Sequence, residues 1–345
     1  MTTRSIGTIA IAAALAVAAG LGVGAETATR DLPAPRNAAE IARALQRGAQ
    51  AADLTDQEVE QLLRLHLVEE QTVRMVLLPV SVTTRNGRPI RGLQSTDFAV
   101  FEDRVRQDIE FFSADAEQPV SIAFLLDVSG SMRISGKLQA AKEAIRYFVE
   151  GLRPGDRFAL ICFADEQVDW VTEFTSDRDL FLARLEVQEG FGKTALNDAV
   201  AAAPRLVDAR EGGRKAIVLI TDGVDNASQL PEEAAIDFAR TVSVPIYTIG
   251  FTALPEALRR RDDPTLNLRV LDSFARETGG ALYAVHDPDE VKDAAVSISE
   301  ELRFQYLIGY YPRERDWDGT FRKIELRTAS SRREVRTRAG YWATP

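Results

Sequence analysis

The chain has 345 residues, 45% of them apolar and 27% charged; it can bury a core, which excludes global disorder. A formal charge of −10 argues against a general nucleic-acid binder. One cysteine excludes a disulfide scaffold and a cysteine-based zinc site, and two histidines, His66 and His286, leave little room for multi-histidine metal chemistry.

Residues 1–25 read as a secretory signal peptide. Arg4 precedes an apolar run over residues 6–23, and Val23-Gly24-Ala25 supplies the small residues of a cleavage site before Glu26. The run is also near the lower limit of about 18 residues for a membrane span, so an uncleaved anchor is the alternative. Its many Ala and Gly residues are weakly hydrophobic and favour cleavage. No later stretch is apolar enough to span. The expectation is an exported protein, periplasmic or secreted, without a transmembrane segment after signal cleavage. Residues 26–71 form a helical leader or linker, in which Ile41, Leu45, Val59, Leu62, Leu63 and Leu67 suit one or two amphipathic helices. A docking arm and a mobile leader both fit that pattern.

From Thr72 the period changes to two. Val76, Leu78, Val80 and Val82 alternate, Asn86-Gly87 marks a turn, and Phe98, Val100, Ile109 and Phe111 alternate again. These give about three strands over residues 72–119. Next come unalternating apolar runs at residues 122–128, 158–163, 216–221, 244–251 and 281–285, with helical stretches near 137–152, 196–208, 232–242, 268–278 and 290–303. Such runs suit strands buried on both faces, and the strand–helix alternation implies a doubly wound, mostly parallel α/β sheet over residues 120–305. Residues 168–174 suit an antiparallel edge strand. After Phe304 the two-residue period returns at Tyr306, Ile308 and Tyr310, then Ile324 and Leu326, then Val335 and Thr337. Three strands are a weak domain on either side. The flanking segments, 72–119 and 306–345, are therefore expected to pair into one β-sandwich with the α/β domain inserted.

The informative residues follow the first apolar run. Asp127-Val128-Ser129-Gly130-Ser131 places one carboxylate and two hydroxyls on a tight loop at the carboxyl end of a strand, where open α/β sheets bind ligands. The loop is expected at the surface, outside the core. Gly190-Phe191-Gly192-Lys193-Thr194 precedes a helix, and Thr221-Asp222-Gly223 ends a buried strand, both suited to the same edge. An all-oxygen donor set selects a hard cation, Mg²⁺ or Mn²⁺, with Ca²⁺ possible. Taken alone, the pentapeptide also fits a capped helix entry.

The set Asp127-x-Ser129-x-Ser131, Thr194 and Thr221-Asp222-Gly223 resembles the metal-ion-dependent adhesion site of von Willebrand factor A domains, which are Rossmann-like. The whole mature chain also resembles the bacterial VWFA-related family first described from Acidobacteria, through the stretches TRNGRPIRGLQSTDFAVFED and YLIGYYP…FRKIELRT…RTRAGYW. The resemblance implies that Ser129, Ser131 and Thr194 offer hydroxyl oxygens to the metal, with Asp127 and Asp222 acting largely through water. Neutral direct ligands would leave one position for an Asp or Glu of a protein partner. Asp225 and Asn226 are expected to shape the loop after Asp222.

The reading is then an exported, non-enzymatic adhesion or assembly module. The alternatives are a structural envelope protein with a stabilising metal, and a metal-assisted or serine hydrolase using Ser129 or Ser131 with His286-Asp287. Against the hydrolase, Met132 follows Ser131, so no Gly-x-Ser-x-Gly elbow is present. Cys162 reads as a buried core thiol, and the excess of basic over acidic residues in 313–338 as solvated strand faces.

Overall fold

The computed structural model describes residues 74–344, apart from 115–117, 166, 209–213, 242, 252–263, 287–289, 315 and 331–332. The signal peptide at 1–25, the leader at 26–71 and His66 lie outside the described residues. Along the chain come β1 (Val76–Thr84), β2 (Phe98–Glu102), β3 (Val105–Gln107), β4 (Phe111–Ser113) and β5 (Val120–Asp127). A 3₁₀ segment over Gly130–Gly136 leads into α1 (Lys137–Glu150), followed by β6 (Arg157–Ala164), β7 (Gln167–Thr175), α2 (Arg178–Glu186) and α3 (Leu196–Asp208). Then come β8 (Arg214–Thr221), α4 (Glu232–Ala239), β9 (Ile246–Phe251), α5 (Pro264–Thr278), β10 (Leu282–Val285) and α6 (Glu290–Arg303). The last strands are β11 (Tyr306–Tyr310), β12 (Phe321–Thr328), β13 (Arg333–Arg336) and β14 (Gly340–Trp342).

The central sheet runs β10-β9-β8-β5-β6-β7, parallel except for the edge strand β7, which pairs antiparallel with β6. In β5 the side chains of Ile122, Phe124 and Leu126 enter one apolar cluster with α1, α2 and α6. Ala123 and Leu125 enter the opposite cluster with α3, α4 and α5. Burial on both faces is why this strand reads as a continuous apolar run. The chain order places β8 on the other side of β5 from β6, so the topological switch falls between β5 and β8, at their carboxyl ends.

The flanking segments make two four-stranded sheets, ordered β13-β1-β11-β4 and β14-β12-β2-β3. Both combine strands from before and after the α/β unit. Val80 of β1 lies opposite Tyr306 of β11, and Val100 of β2 opposite Leu326 of β12. Val76, Leu78, Val80, Val100, Ile308 and Ile324 share one buried apolar cluster drawn from both sheets. A polar cluster accompanies it: Tyr310 and Tyr341 donate to Glu102 Oε2 at 2.7 and 2.9 Å, and Arg322 pairs with Glu102 Oε1 at 3.3 Å. A second cluster ties these sheets to the α/β unit, where Tyr247 donates to Glu301 Oε1 at 2.8 Å, Arg336 pairs with Glu301, and Ser81 lies 3.3 Å from the Tyr247 hydroxyl.

Four expectations need correction. The stretch around Ile109 is not one strand: β3 pairs with β2, whereas β4 pairs with β11 in the other sheet. The β2–β3 hairpin turns on Asp103 and Arg104, both at positive φ (46° and 69°). Asn-Gly or Asp-Gly would have signalled that turn, and neither is there. The C-terminal part has a fourth strand, β14, three residues long and started by Gly340. Helix α2 was also unforeseen: Asp177 caps it by accepting from the Leu180 amide at 3.0 Å, but only Phe181 and Leu185 are buried, too few for a visible period. Finally, Asp127 is not in a surface loop but ends β5, fully buried.

Candidate functional site

The site begins with Asp127, carried by the central strand to the sheet edge and left there with 0% exposure. Its Oδ1 accepts from the Ser129 amide at 2.8 Å, which closes the loop back on the strand end. Its Oδ2 accepts from the Thr221 hydroxyl at 2.6 Å, across the β5–β8 junction. Burial pushes the Asp127 carboxyl up to about 6, opposed by the hydrogen bonds from Thr221 and Ser129 and reinforced by the neighbouring Asp222 charge. Ser129 and Ser131 follow, their hydroxyl oxygens 3.1 Å apart; Ser129 is buried and Ser131 half-buried.

Three loops interlock here. The Gly130 amide donates to the Gly192 carbonyl at 3.0 Å, and the Phe191 amide donates to the Val128 carbonyl at 2.8 Å, so the loop before α3 lies along the Asp127 loop. Gly192 takes a positive φ of 67°, and a Cβ there would run into the Asp165 carboxylate. Thr194, at the end of that loop, is buried. Its carbonyl accepts from the amides of Asn226 and Ala227, both at 3.0 Å, and its amide donates to Asn226 Oδ1 at 2.9 Å. Asn226 thus shapes the loop after Asp222, as expected. Asp225 does so too, accepting from the Asn197 amide at 2.9 Å and the Ser228 hydroxyl at 2.6 Å.

Asp222 completes the set. Its Oδ2 pairs with Lys137 Nζ at 2.8 Å, the two side chains being 5% and 12% exposed. Its Oδ1 is buried without a hydrogen-bond partner among the described residues. A buried carboxylate oxygen left unpaired costs free energy and marks a place where a cation would be accommodated. Asp127 ends β5, and Ser129 and Ser131 follow it directly; Thr194 and Asp222 reach them through the interlocked backbones rather than by direct side-chain bonds. Two hydroxyl oxygens 3.1 Å apart, a buried Thr194 and an orphaned carboxylate oxygen fit a hard divalent cation in kind of donor and in charge. Among the described residues, no cluster of three or more His, Cys, Asp or Glu forms a metal site; the donors here are mostly hydroxyls.

Sequence reasoning missed two members. Thr221 was read as part of the strand-end motif but not as the donor that orients Asp127. Lys137 was read only as a helix residue. It is the first residue of α1, where a positive charge opposes the helix dipole; that placement is the signal that it needs an anion, and Asp222 is that anion. His286 lies just after β10, three strands from β5 in the sheet order, with a 71% exposed side chain and Glu290 as its neighbour at 3.6 Å. It has no place beside Ser129 or Ser131.

Residues 122–224 match the family model described as von Willebrand factor type A domain. An uncharacterized protein of Borreliella burgdorferi is 27% identical over 210 residues, covering 54% of this chain and 60% of that protein. Human inter-alpha-trypsin inhibitor heavy chain H4 is 26% identical over 200 residues, covering 53% of this chain and 20% of that one. The solved von Willebrand factor type A protein of Catenulispora acidiphila is 20% identical, with a TM-score of 0.46 covering 66% of this chain and 50% of that one. The chain spans less than two thirds of the length of these curated relatives. Among the described residues no helix is long and apolar enough to cross a membrane. Residues 122–224 thus match a von Willebrand factor type A domain, within an α/β fold whose central sheet is mixed.

Proposed function

We propose that this chain is an exported adhesion or assembly module that captures an acidic residue of a protein partner through a divalent cation. The observation that carries the reading is the donor set at the β5–β8 junction: a buried Asp127, the paired hydroxyls of Ser129 and Ser131, a buried Thr194, and Asp222 with one orphaned oxygen. Ser129, Ser131 and Thr194 would hold Mg²⁺ or Mn²⁺, with Asp127 and Asp222 balancing its charge through water. When bound, the cation supplies a Lewis-acidic centre with an open position for a carboxylate. The protein's own part is to keep the hydroxyls oriented: the Ser129 amide and Thr221 hydroxyl lock the Asp127 carboxylate, and Lys137 holds Asp222. In this reading the signal peptide covers residues 1–25, the leader 26–71, and the A domain 120–305 is inserted in a β-sandwich formed by 72–119 and 306–345. The protein is then periplasmic or secreted.

The test is calorimetric titration of the full mature chain with Mg²⁺ and Mn²⁺, followed by capture of envelope proteins with and without EDTA. One site, lost in Asp127→Ala with partner capture falling in parallel, supports the reading. A protein that loses thermal stability in EDTA but keeps its partner would instead hold a purely structural metal.

A further inference from the structure

Each of the three loops that build the site also exposes one large apolar side chain. Ile134, three residues after Ser131, is 63% exposed; Phe191, three residues before Thr194, is 52% exposed; Val224, two residues after Asp222, is 41% exposed. None of them belongs to a buried cluster, although the loops around them are tightly built. The amide of Phe191 is held by the Val128 carbonyl at 2.8 Å, one residue from Asp127. The stem of Arg133, beside Ile134, packs so closely on Gly190, beside Phe191, that no Cβ would fit there. Backbone bonds from Asn226 and Ala227 to Thr194 bring the Val224 loop to the same edge. An aromatic and two branched aliphatic residues therefore stand exposed on three loops that are bonded to one another at one sheet edge. Exposed apolar residues gathered on one functional rim mark an interaction surface, whereas scattered ones need no explanation.

The charges on the rim favour an anionic partner. Arg133 and Lys193 are exposed and have no ion-pair partner among the described residues, against a single comparable anion, Glu189. The Asp165 carboxylate is engaged by the Lys193 amide at 2.7 Å, and Asp222 by Lys137. Resting on the reading of Asp127, Ser129, Ser131, Thr194 and Asp222 given above, we propose that the partner presents a protein segment in which the captured Asp or Glu is flanked within two residues by a large apolar side chain. That side chain packs against Phe191, Ile134 and Val224. Arg133 and Lys193 steer the acidic segment, a contribution to association rate that salt screens. The site then discriminates among acidic segments by the neighbour of the acid, since every carboxylate satisfies the central donors alike.

The test uses the full mature chain and two probes: displayed peptides with a fixed central Asp and randomised flanks, and a companion library with Asn at that position, panned in about millimolar Mg²⁺ and in EDTA. The result expected is Mg²⁺-dependent enrichment from the Asp library alone, with Leu, Ile, Phe or Trp beside the Asp. In Phe191→Ser the enriched peptides should bind about tenfold more weakly, the usual loss for truncating a central aromatic contact. Asp peptides with polar flanks should keep their affinity. Because Phe191 is exposed, an unchanged melting temperature is expected, and Ile134→Ser gives a second readout from another loop. Mg²⁺-dependent binding of Asp peptides without an apolar preference, or unaltered affinity in both variants, overturns the rim and leaves the central site standing. Binding that ignores Mg²⁺ or treats Asn as Asp overturns the central reading, and the rim with it.

Discussion

Replacing Lys137 by Met tests whether the ammonium group beside Asp222 and the proposed divalent cation share that carboxylate. The Lys137–Asp222 pair is 2.8 Å long, with side chains 12% and 5% exposed. At an effective dielectric near 20, two unit charges at that distance attract by about 6 kcal/mol, most of which offsets desolvation. Removing one partner of such a pair leaves the other charge buried alone and costs about 3 kcal/mol, the low end of the range because Lys137 keeps some contact with water. Lys137→Met keeps an unbranched aliphatic stem and loses the charge. In EDTA the variant should melt roughly 6–12 °C lower than the wild type, at about 2–4 °C per kcal/mol for a domain of this size. With saturating Mg²⁺, Asp222 regains a cationic neighbour and the loss should shrink to about 1 kcal/mol. The difference of ~2 kcal/mol closes the thermodynamic cycle as roughly thirtyfold tighter Mg²⁺ binding by the variant. Urea or thermal melts in EDTA and in Mg²⁺, with direct titration of the metal, measure every leg. Equal destabilisation in both conditions, or weaker Mg²⁺ binding, would refute the reasoning, because Asp222 would then not face the bound cation.

Further outcomes follow from groups outside the site. Glu301→Leu should destabilise the chain by about 3 kcal/mol in urea melts, because it leaves Arg336 without its ion pair and removes the carboxylate that accepts from the Tyr247 hydroxyl, leaving that hydroxyl only the longer contact with Ser81; a change below ~1 kcal/mol would show that this junction is not under such constraint. The phenols of the buried Tyr247, Tyr310 and Tyr341 and of the half-buried Tyr283 are all pushed up, first by burial and then by the carboxylates beside them. Their folded values exceed the unfolded value near 10, so their contribution is intact below about pH 10 and is lost as pH rises above it. Absorbance at the phenolate band should show these four ionising together with unfolding, not before it. Burial likewise pushes up the Cys162 thiol, so a thiol reagent at pH 8 should label the native chain only at its unfolding rate and one cysteine promptly in denaturant.

The α/β unit was legible because its physics is local. A strand covered on both faces carries an apolar run without alternation, as residues 122–126 of β5, 158–164 of β6 and 216–220 of β8 do; helices that cover it must show one apolar stripe, as α1, α3 and α6 do. The strand-end position of the motif was legible for the same reason, since the apolar run stops at the carboxylate, although Asp127 itself ends β5 rather than lying on a loop. Where the local signal thinned, the reading failed: α2 buries two side chains, β14 is three residues long, and the β2–β3 turn rests on an Asp-Arg pair at positive φ.

Long-range choices were decided by the tertiary structure alone. Alternation marked β1, β2, β11 and β12 as half-buried strands, but nothing in their residues states that β3 and β4 part to different sheets or that β1 runs between β11 and β13. At the site, the sequence supplied the donors, and the fold supplied their states. Asp127 is polar and ends a strand, which locally suggests exposure; packing of β8 and the two neighbouring loops over it removes water and raises its carboxyl to about 6. Lys137 and Asp222 stand 85 residues apart and meet only because the switch in strand order sets β8 beside β5, above the start of α1. Residue types are a property of the chain, whereas burial and pairing between distant segments are properties of the packed whole, and the chemistry of this site depends on both.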